Sequence, residues 1–142
     1  MKIAITGHTP PRLKGQEKRI KEWAKKQLKK YQPEVIYCGM AQGVDQIIAL
    51  VAKNMGIPII CCYPYPKNKF HPIEEEIMEG NEVIYTMPTY HKTAFEKRDQ
   101  FMMDAADLVL SIWDGQPFGG TYAARAYAIK KNKIVIDYEG LR

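Results

Sequence analysis

The sequence predicts an α/β fold of the Rossmann-like kind, a three-layer sandwich with a mostly parallel sheet of about six strands covered by helices on both faces. Short apolar runs rich in β-branched residues alternate with stretches of helical period along the whole chain, and strict β–α alternation produces a parallel sheet. The strand-like runs are continuously apolar rather than period-two, as strands buried on both faces must be.

The expected strands are Lys2–Thr6, Val35–Cys38, Ile57–Cys62, Val83–Thr86, Leu108–Ile112 and Ile134–Asp137. Between them fall helices near Gln16–Lys30, Gly43–Met55, Ile73–Glu79, Lys92–Ala105 and Gly120–Lys131. Helix Gly43–Met55 is apolar nearly all round, which predicts deep packing. No repeat, low-complexity tract or linker interrupts the pattern, so residues 1–142 are expected to form one domain, a size that buries roughly two-thirds of the unfolded surface.

Composition narrows the function classes. The net charge of +5 concentrates between Lys14 and Lys30, where eight Lys/Arg face two Glu. Ile20, Trp23, Ala24, Leu28 and Tyr31 form one stripe of that helix, so the lysines read as its solvated face rather than a nucleic-acid site. Cys38, Cys61 and Cys62 sit in strand-like runs without metal-ligand spacing, as core thiols of a reducing compartment do. The chain begins directly on a strand-like run and holds no stretch of about 18 apolar residues. A soluble cytoplasmic protein is expected, with no membrane partner, no metal and no cofactor.

In such folds the strand-to-helix loops carry the chemistry, because they lie at the carboxyl edge of the sheet and run into helix N-termini. After the first strand comes Thr6-Gly7-His8-Thr9, where Gly7 lets backbone approach closely and His8 reads equally as a local cap or a contact. After the next strand comes Gly39-Met40-Ala41-Gln42-Gly43-Val44-Asp45, whose small residues leave backbone N–H groups free to face an anion. Asp45 reads as a first-turn residue or as an acceptor for a ribose hydroxyl, and spacing alone leaves the two level. The fifth strand runs into Asp114-Gly115-Gln116-Pro117-Phe118-Gly119-Gly120-Thr121, another glycine-rich turn at another helix start. On the helix before that strand, Arg98 falls within the apolar arc of Ala94, Phe95, Phe101, Met102 and Ala105. A buried arginine needs an anionic partner, either a carboxylate such as Asp45, Asp104 or Asp114 or a ligand phosphate.

These loops resemble those of a known superfamily. Gly39-Met40-Ala41-Gln42-Gly43-Val44-Asp45 is similar to the G-x-A-x-G-x-D loop of DprA, and the whole length resembles the SLOG superfamily of DprA-like and Lonely-Guy-like domains. In Lonely-Guy phosphoribohydrolases an Arg precedes an Asp by nine residues, then comes a strand, then P-G-G-x-G-T-x-x-E. Here Arg98 precedes Asp107 by nine, Leu108–Ile112 follows, then Pro117-Phe118-Gly119-Gly120-Thr121. The small SLOG proteins of bacteria and their phages also begin with an I-T-G-H stretch like Ile5-Thr6-Gly7-His8. Three departures stand out. Asp99 replaces the Lys after the Arg, the glycine turn is lengthened and carries Phe118, and Ala124 replaces the Glu.

The resemblance implies a protein that binds a nucleotide or nucleotide-derived molecule, for sensing or sequestering. Gly39, Ala41, Gln42, Gly43, Gly119, Gly120 and Thr121 would meet phosphates, with Gly7, His8 and Met40 beside them. Arg98 would pair with a phosphate, Asp45 and Asp114 with ribose hydroxyls, and Tyr63 or Tyr65 with a base. Two alternatives remain. One is cleavage or transfer of an N-glycosidic bond, with Arg98 and Asp114 as the catalytic pair and Glu96 or Asp99 as other carboxylates. The other is DprA-like single-strand DNA binding, disfavoured because Trp23 and Tyr31 lie on the apolar stripe. Relatives often form dimers, so the resemblance leaves a homodimer open.

Overall fold

The computed structural model describes residues 1–142. Its strands are β1 (Lys2–Gly7), β2 (Val35–Cys38), β3 (Ile59–Tyr63), β4 (Glu82–Tyr85), β5 (Leu108–Ile112) and β6 (Ile134–Tyr138). Its helices are α1 (Glu17–Tyr31), α2 (Val44–Asn54), α3 (Pro72–Met78), α4 (Ala94–Ala105) and α5 (Gly120–Lys130). All strands pair in parallel, in the order β4-β3-β2-β1-β5-β6. Strand β3 starts two residues later than expected because Pro58 has no N–H and the Ile57 N–H is spent on the Ala52 carbonyl that ends α2. Two short 3-10 turns, Pro10–Leu13 and Glu139–Leu141, have no counterpart in the expected pattern, since one turn is too short to show a period.

Helices α1, α2 and α3 cover one face and α4 and α5 the other. Side chains on β1 and β5 divide accordingly. Ile3, Ile5, Leu108, Leu110 and Ile112 join Ile20, Leu28, Val44, Ile48 and Ile77 in the larger core. Ala4 and Val109, with Tyr37 and Cys62, meet Met102, Met103 and Ala128 of α4 and α5. All three cysteines are buried free thiols. Helix α1 buries Ile20, Ala24 and Leu28, with Trp23 and Tyr31 packed beside them, while its lysines are exposed as expected. No helix is long and apolar enough to cross a membrane.

The apolar arc expected on α4 needs correction. Ala94, Arg98 and Met102, spaced four apart, point at the sheet with Met103, whereas Phe95 is 52% and Phe101 41% exposed. The helix is rotated so that its i, i+4, i+8 row carries the arginine inward. Phe101 instead lies edge-on against Tyr37, centroids 6.3 Å apart.

Helix α2 starts hard against the end of β1. A Cβ on Gly7 would overlap the Val44 side chain, and one on Gly43 the His8 carbonyl oxygen. That oxygen accepts the Val44 N–H at 3.2 Å, and Gly43 holds φ +95°. Gly56, at φ +74°, has open space around it. Gly56→Ala is therefore expected to cost about 1 kcal/mol from backbone conformation alone. Gly43→Ala, which adds the overlap, is expected to cost about 3 kcal/mol or more. Urea midpoints at unchanged slope measure both, and equal costs would contradict the clamp.

Candidate functional site

The chain winds from β1 outward to β4, then crosses to β5 on the other side of β1. At such a reversal the flanking loops leave in opposite directions and a crevice opens at the carboxyl ends of the strands. A cavity of about 260 Å³ lies there, lined by the end of β1 through Thr9, by Ala41 and Asp45 at the start of α2, by Arg98 and Asp99 of α4, and by Gly120 and Thr121 of α5. Two helix N-termini meet it. The first helical bonds run from Ile47 to Gly43 in α2 and from Ala123 to Gly119 in α5. The backbone N–H groups of Asp45, Gln46, Gly120, Thr121 and Tyr122 thus have no backbone acceptor and present the positive ends of two dipoles.

Arg98 spans the floor. Its side chain is 8% exposed. Nε donates to Asp99 Oδ1 at 2.7 Å, and Nη1 donates to the carbonyls of Gly39 at 2.6 Å and Cys62 at 3.1 Å. Its carboxylate partner is thus Asp99, not Asp45, Asp104 or Asp114. Nη2 makes no hydrogen bond within the protein, yet it is not sealed from solvent. Ser111 Oγ is the one side-chain polar atom both buried and unpartnered. Arg98 therefore keeps one nitrogen, with two N–H groups, at the cavity it lines, beneath the ring of Phe95, whose centroid is 5.6 Å from the guanidinium carbon.

Asp45 faces Arg98 across Gly39, where a Cβ would stand 2.9 Å from Asp45 Oδ2 and 3.1 Å from the Arg98 guanidinium carbon. The Ala41 N–H donates to Oδ2 at 3.2 Å. Burial outweighs these partners and raises the Asp45 carboxyl to about 7. Burial also raises Asp99, against the pull of Arg98.

On the opposite wall Arg12, carried by the 3-10 turn after β1, donates Nε and Nη2 to the two oxygens of Asp114 at 2.8 and 2.7 Å. These bonds hold the Asp114 carboxyl well below the ordinary carboxylate range. Arg12 Nη1 lies 2.9 Å from the point where a Cβ on Gly119 would stand, and Phe118 covers the guanidinium. His8 Nε2 accepts the Asp114 N–H at 3.1 Å, and burial followed by the Arg12 charge lowers its pKa.

Of the residues singled out from the sequence, Gly7, His8, Ala41, Asp45, Arg98, Gly120 and Thr121 line the cavity. Gly39 and Met40 line an adjoining recess of about 230 Å³, and Gly119 lines a groove of about 520 Å³ on the other side. Gln42, Gly43 and Asp114 line none of these three spaces, and Gln42 is exposed. Tyr63 cannot stack on a base as expected. It is 4% exposed, its hydroxyl donates to Glu74 Oε2 at 2.7 Å, and Phe70 meets its ring edge-on. Tyr65 meets Tyr90 and Phe95 edge-on. Sequence reasoning places neither Arg12 nor Phe95 at the site, and it does not pair Asp99 with Arg98. Arg12 sits on a turn that no period announces, Asp99 falls on a helix face that reads as exposed, and Phe95 reads as a core residue.

No family model and no curated protein sequence matches the chain. Solved structures do. DNA processing protein A of Streptococcus pneumoniae aligns over 98% of this chain and 50% of its own, at TM-score 0.69 and 20% identity. The Helicobacter pylori protein, whose structure concerns its single-stranded DNA binding mode, aligns over 96% and 64% at TM-score 0.69 and 22% identity. The molybdenum cofactor carrier protein of Chlamydomonas reinhardtii aligns over 96% and 74% at TM-score 0.65 and 18% identity. The chain thus shares the Rossmann-like fold of these proteins, and it spans half the length of the S. pneumoniae protein.

The Asp45 environment has a measurable consequence. Its folded pKa of about 7 lies above the ordinary 3.8, so between those values the folded state keeps a proton the unfolded chain gives up. That contribution to stability is fully present below about pH 4 and is lost as pH rises through about 7. Asp45→Asn is expected to gain stability over the parent at pH 8 but little at pH 4, measured by urea unfolding. A difference that stays flat between those pH values would contradict the assignment.

Proposed function

We propose that the protein binds a nucleotide or nucleotide-derived small molecule at the β1–β5 reversal, holding its phosphate in the cavity without cleaving it. The reading is carried by Arg98, a nine-tenths buried guanidinium with one nitrogen left unbonded, beside a cavity flanked by the N-termini of α2 and α5. An anion there would meet the Arg98 Nη2, the free N–H groups of Gly120 and Thr121 and the dipoles of two helices. Arg12, set by Asp114, adds a further guanidinium. Thr6, Thr9 and Thr121 line the same space, and glycine at 120 keeps the backbone open to a phosphate.

Asp114 engages both oxygens with Arg12, so in this reading it positions a cation rather than touching a ribose or a reacting carbon. Ala124, where the resembled hydrolases carry Glu, has neither charge nor proton to offer an oxocarbenium-like sugar. The neighbours include a cofactor carrier and a protein whose single-stranded DNA binding mode has been described. Small-molecule carriage is favoured here, because the buried arginine and the two helix N-termini meet at the cavity, whereas beside the lysines of α1 the aromatic rings Trp23 and Tyr31 are partly buried against the core.

Gly120 gives the direct test. A Cβ there finds nothing nearer than Asp99 Oδ2 at 4.0 Å, so Gly120→Val is expected to fold normally while its side chain blocks the anion position. Native mass spectrometry of the purified protein and calorimetric titration with nucleoside monophosphates should show binding by the parent and at least a tenfold loss in this variant. Unchanged affinity in the folded variant would overturn the proposal, as would release of free base by the parent at about 1 per second or faster. Any single-strand DNA binding is expected to fall steeply with salt and to be unaffected by Gly120→Val. Tight binding at physiological salt that the variant abolishes would transfer the site to nucleic acid.

A further inference from the structure

The cavity opens on one side into the larger groove between α4 and α5, and Phe95, Asp99 and Gly120 line both. A ligand held by its phosphate in the cavity has two ways to extend. The recess beyond Gly39 carries Arg98 and Lys67 and is the smaller space, suited to further anionic groups. The α4–α5 groove is about twice the cavity's volume and has the flat apolar walls a ring system needs, from Phe95, Ala123, Ala124 and Tyr127.

The polar groups of this groove share one property. Asp99 Oδ1 accepts from Arg98, which leaves Oδ2 facing Gly120. Gln100 turns its Nε2 to Glu96 Oε1 at 3.3 Å, so its carbonyl Oε1 and the other Glu96 oxygen are free. The Tyr127 hydroxyl gives its proton to the Asp104 carboxylate, both oxygens at 2.9 Å. Apart from the second N–H of Gln100 Nε2, the available side-chain atoms are therefore hydrogen-bond acceptors, two of them carboxylate oxygens.

Resting on the phosphate-binding reading above, we infer that the α4–α5 groove holds the base of the ligand and selects bases that carry an exocyclic amine, whose N–H groups answer the acceptors of Glu96, Asp99 and Gln100. Phosphate, ribose and base then run from the cavity, past Asp99, into the groove. Small residues at Gly120, Ala123 and Ala124 give the base room on α5. A keto oxygen in place of the amine would face a carboxylate and be repelled, and a bare C–H would leave the acceptors unmatched.

Calorimetric titration with five probes tests this. AMP and purine riboside 5′-monophosphate differ only by an exocyclic amine, as do GMP and IMP, and ribose 5-phosphate has no base. The amine-bearing member of at least one pair is expected to bind about tenfold more tightly, the discrimination of one well-placed base contact, and ribose 5-phosphate more weakly than it. Ala123 is exposed in the groove, so Ala123→Leu fills the base position without touching the core. It is expected to bring AMP and GMP down to the affinity of ribose 5-phosphate, which itself is unchanged. Equal affinities within both pairs, or a base contribution that survives Ala123→Leu, would overturn the inference and leave phosphate binding standing. Failure of all five probes to bind the folded protein would overturn the proposed function and the inference together.

Discussion

Burying a guanidinium is tolerated only where its charge is matched and its N–H groups find acceptors, and around Arg98 that requirement organises the site. Asp99 supplies the matching charge from the next position on the helix, and the carbonyls of Gly39 and Cys62 take two further hydrogen bonds. Those carbonyls belong to the ends of β2 and β3, so the arginine ties α4 to strands on the far side of the reversal. Glycine at 39 leaves room for this pair, because a Cβ there would crowd Asp45 Oδ2 and the guanidinium. The nitrogen left over is the cationic group of this network that a ligand can use, and Asp99 Oδ2 is left as an acceptor beside it.

Another constraint is the crossing of the chain from β4 to β5. It places α4 and α5 side by side on the face opposite α1, α2 and α3, which sets the groove beside the cavity. It also brings the starts of α2 and α5 to the same edge of the sheet. Gly7 and Gly43 let the first of these helices begin in contact with β1. Two ion pairs of different character result. Arg98 with Asp99 is buried and faces the ligand space, whereas Arg12 with Asp114 is bidentate at the rim and holds the turn before α5 through Phe118 and Gly119.

Much of this is legible in the sequence, and for identifiable reasons. Parallel strands buried on both faces leave continuous apolar runs, so every strand and every helix is foreseen within a few residues. The two glycine turns are readable because close approach and positive φ exclude most side chains. Arg98 is readable because an arginine in an apolar row demands an account. Phe95 is misplaced because a period locates a stripe only to within one residue. Arg12 escapes because its turn has no period at all, and its partner Asp114 lies 102 positions away in sequence.

The amino-acid sequence by itself determined the layers, the strand directions, the burial of the cysteines and the solvated lysine face of α1, since each follows from local periodicity and from the cost of wetting apolar side chains. The tertiary structure alone decided which carboxylate serves which arginine, and that Asp114 aims Arg12 instead of facing the cavity. It also decided that Tyr63 is sealed against Glu74, and that the α4–α5 groove presents acceptors. These depend on side-chain directions set by helix rotation and on contacts between residues far apart in the chain, and no local pattern encodes them.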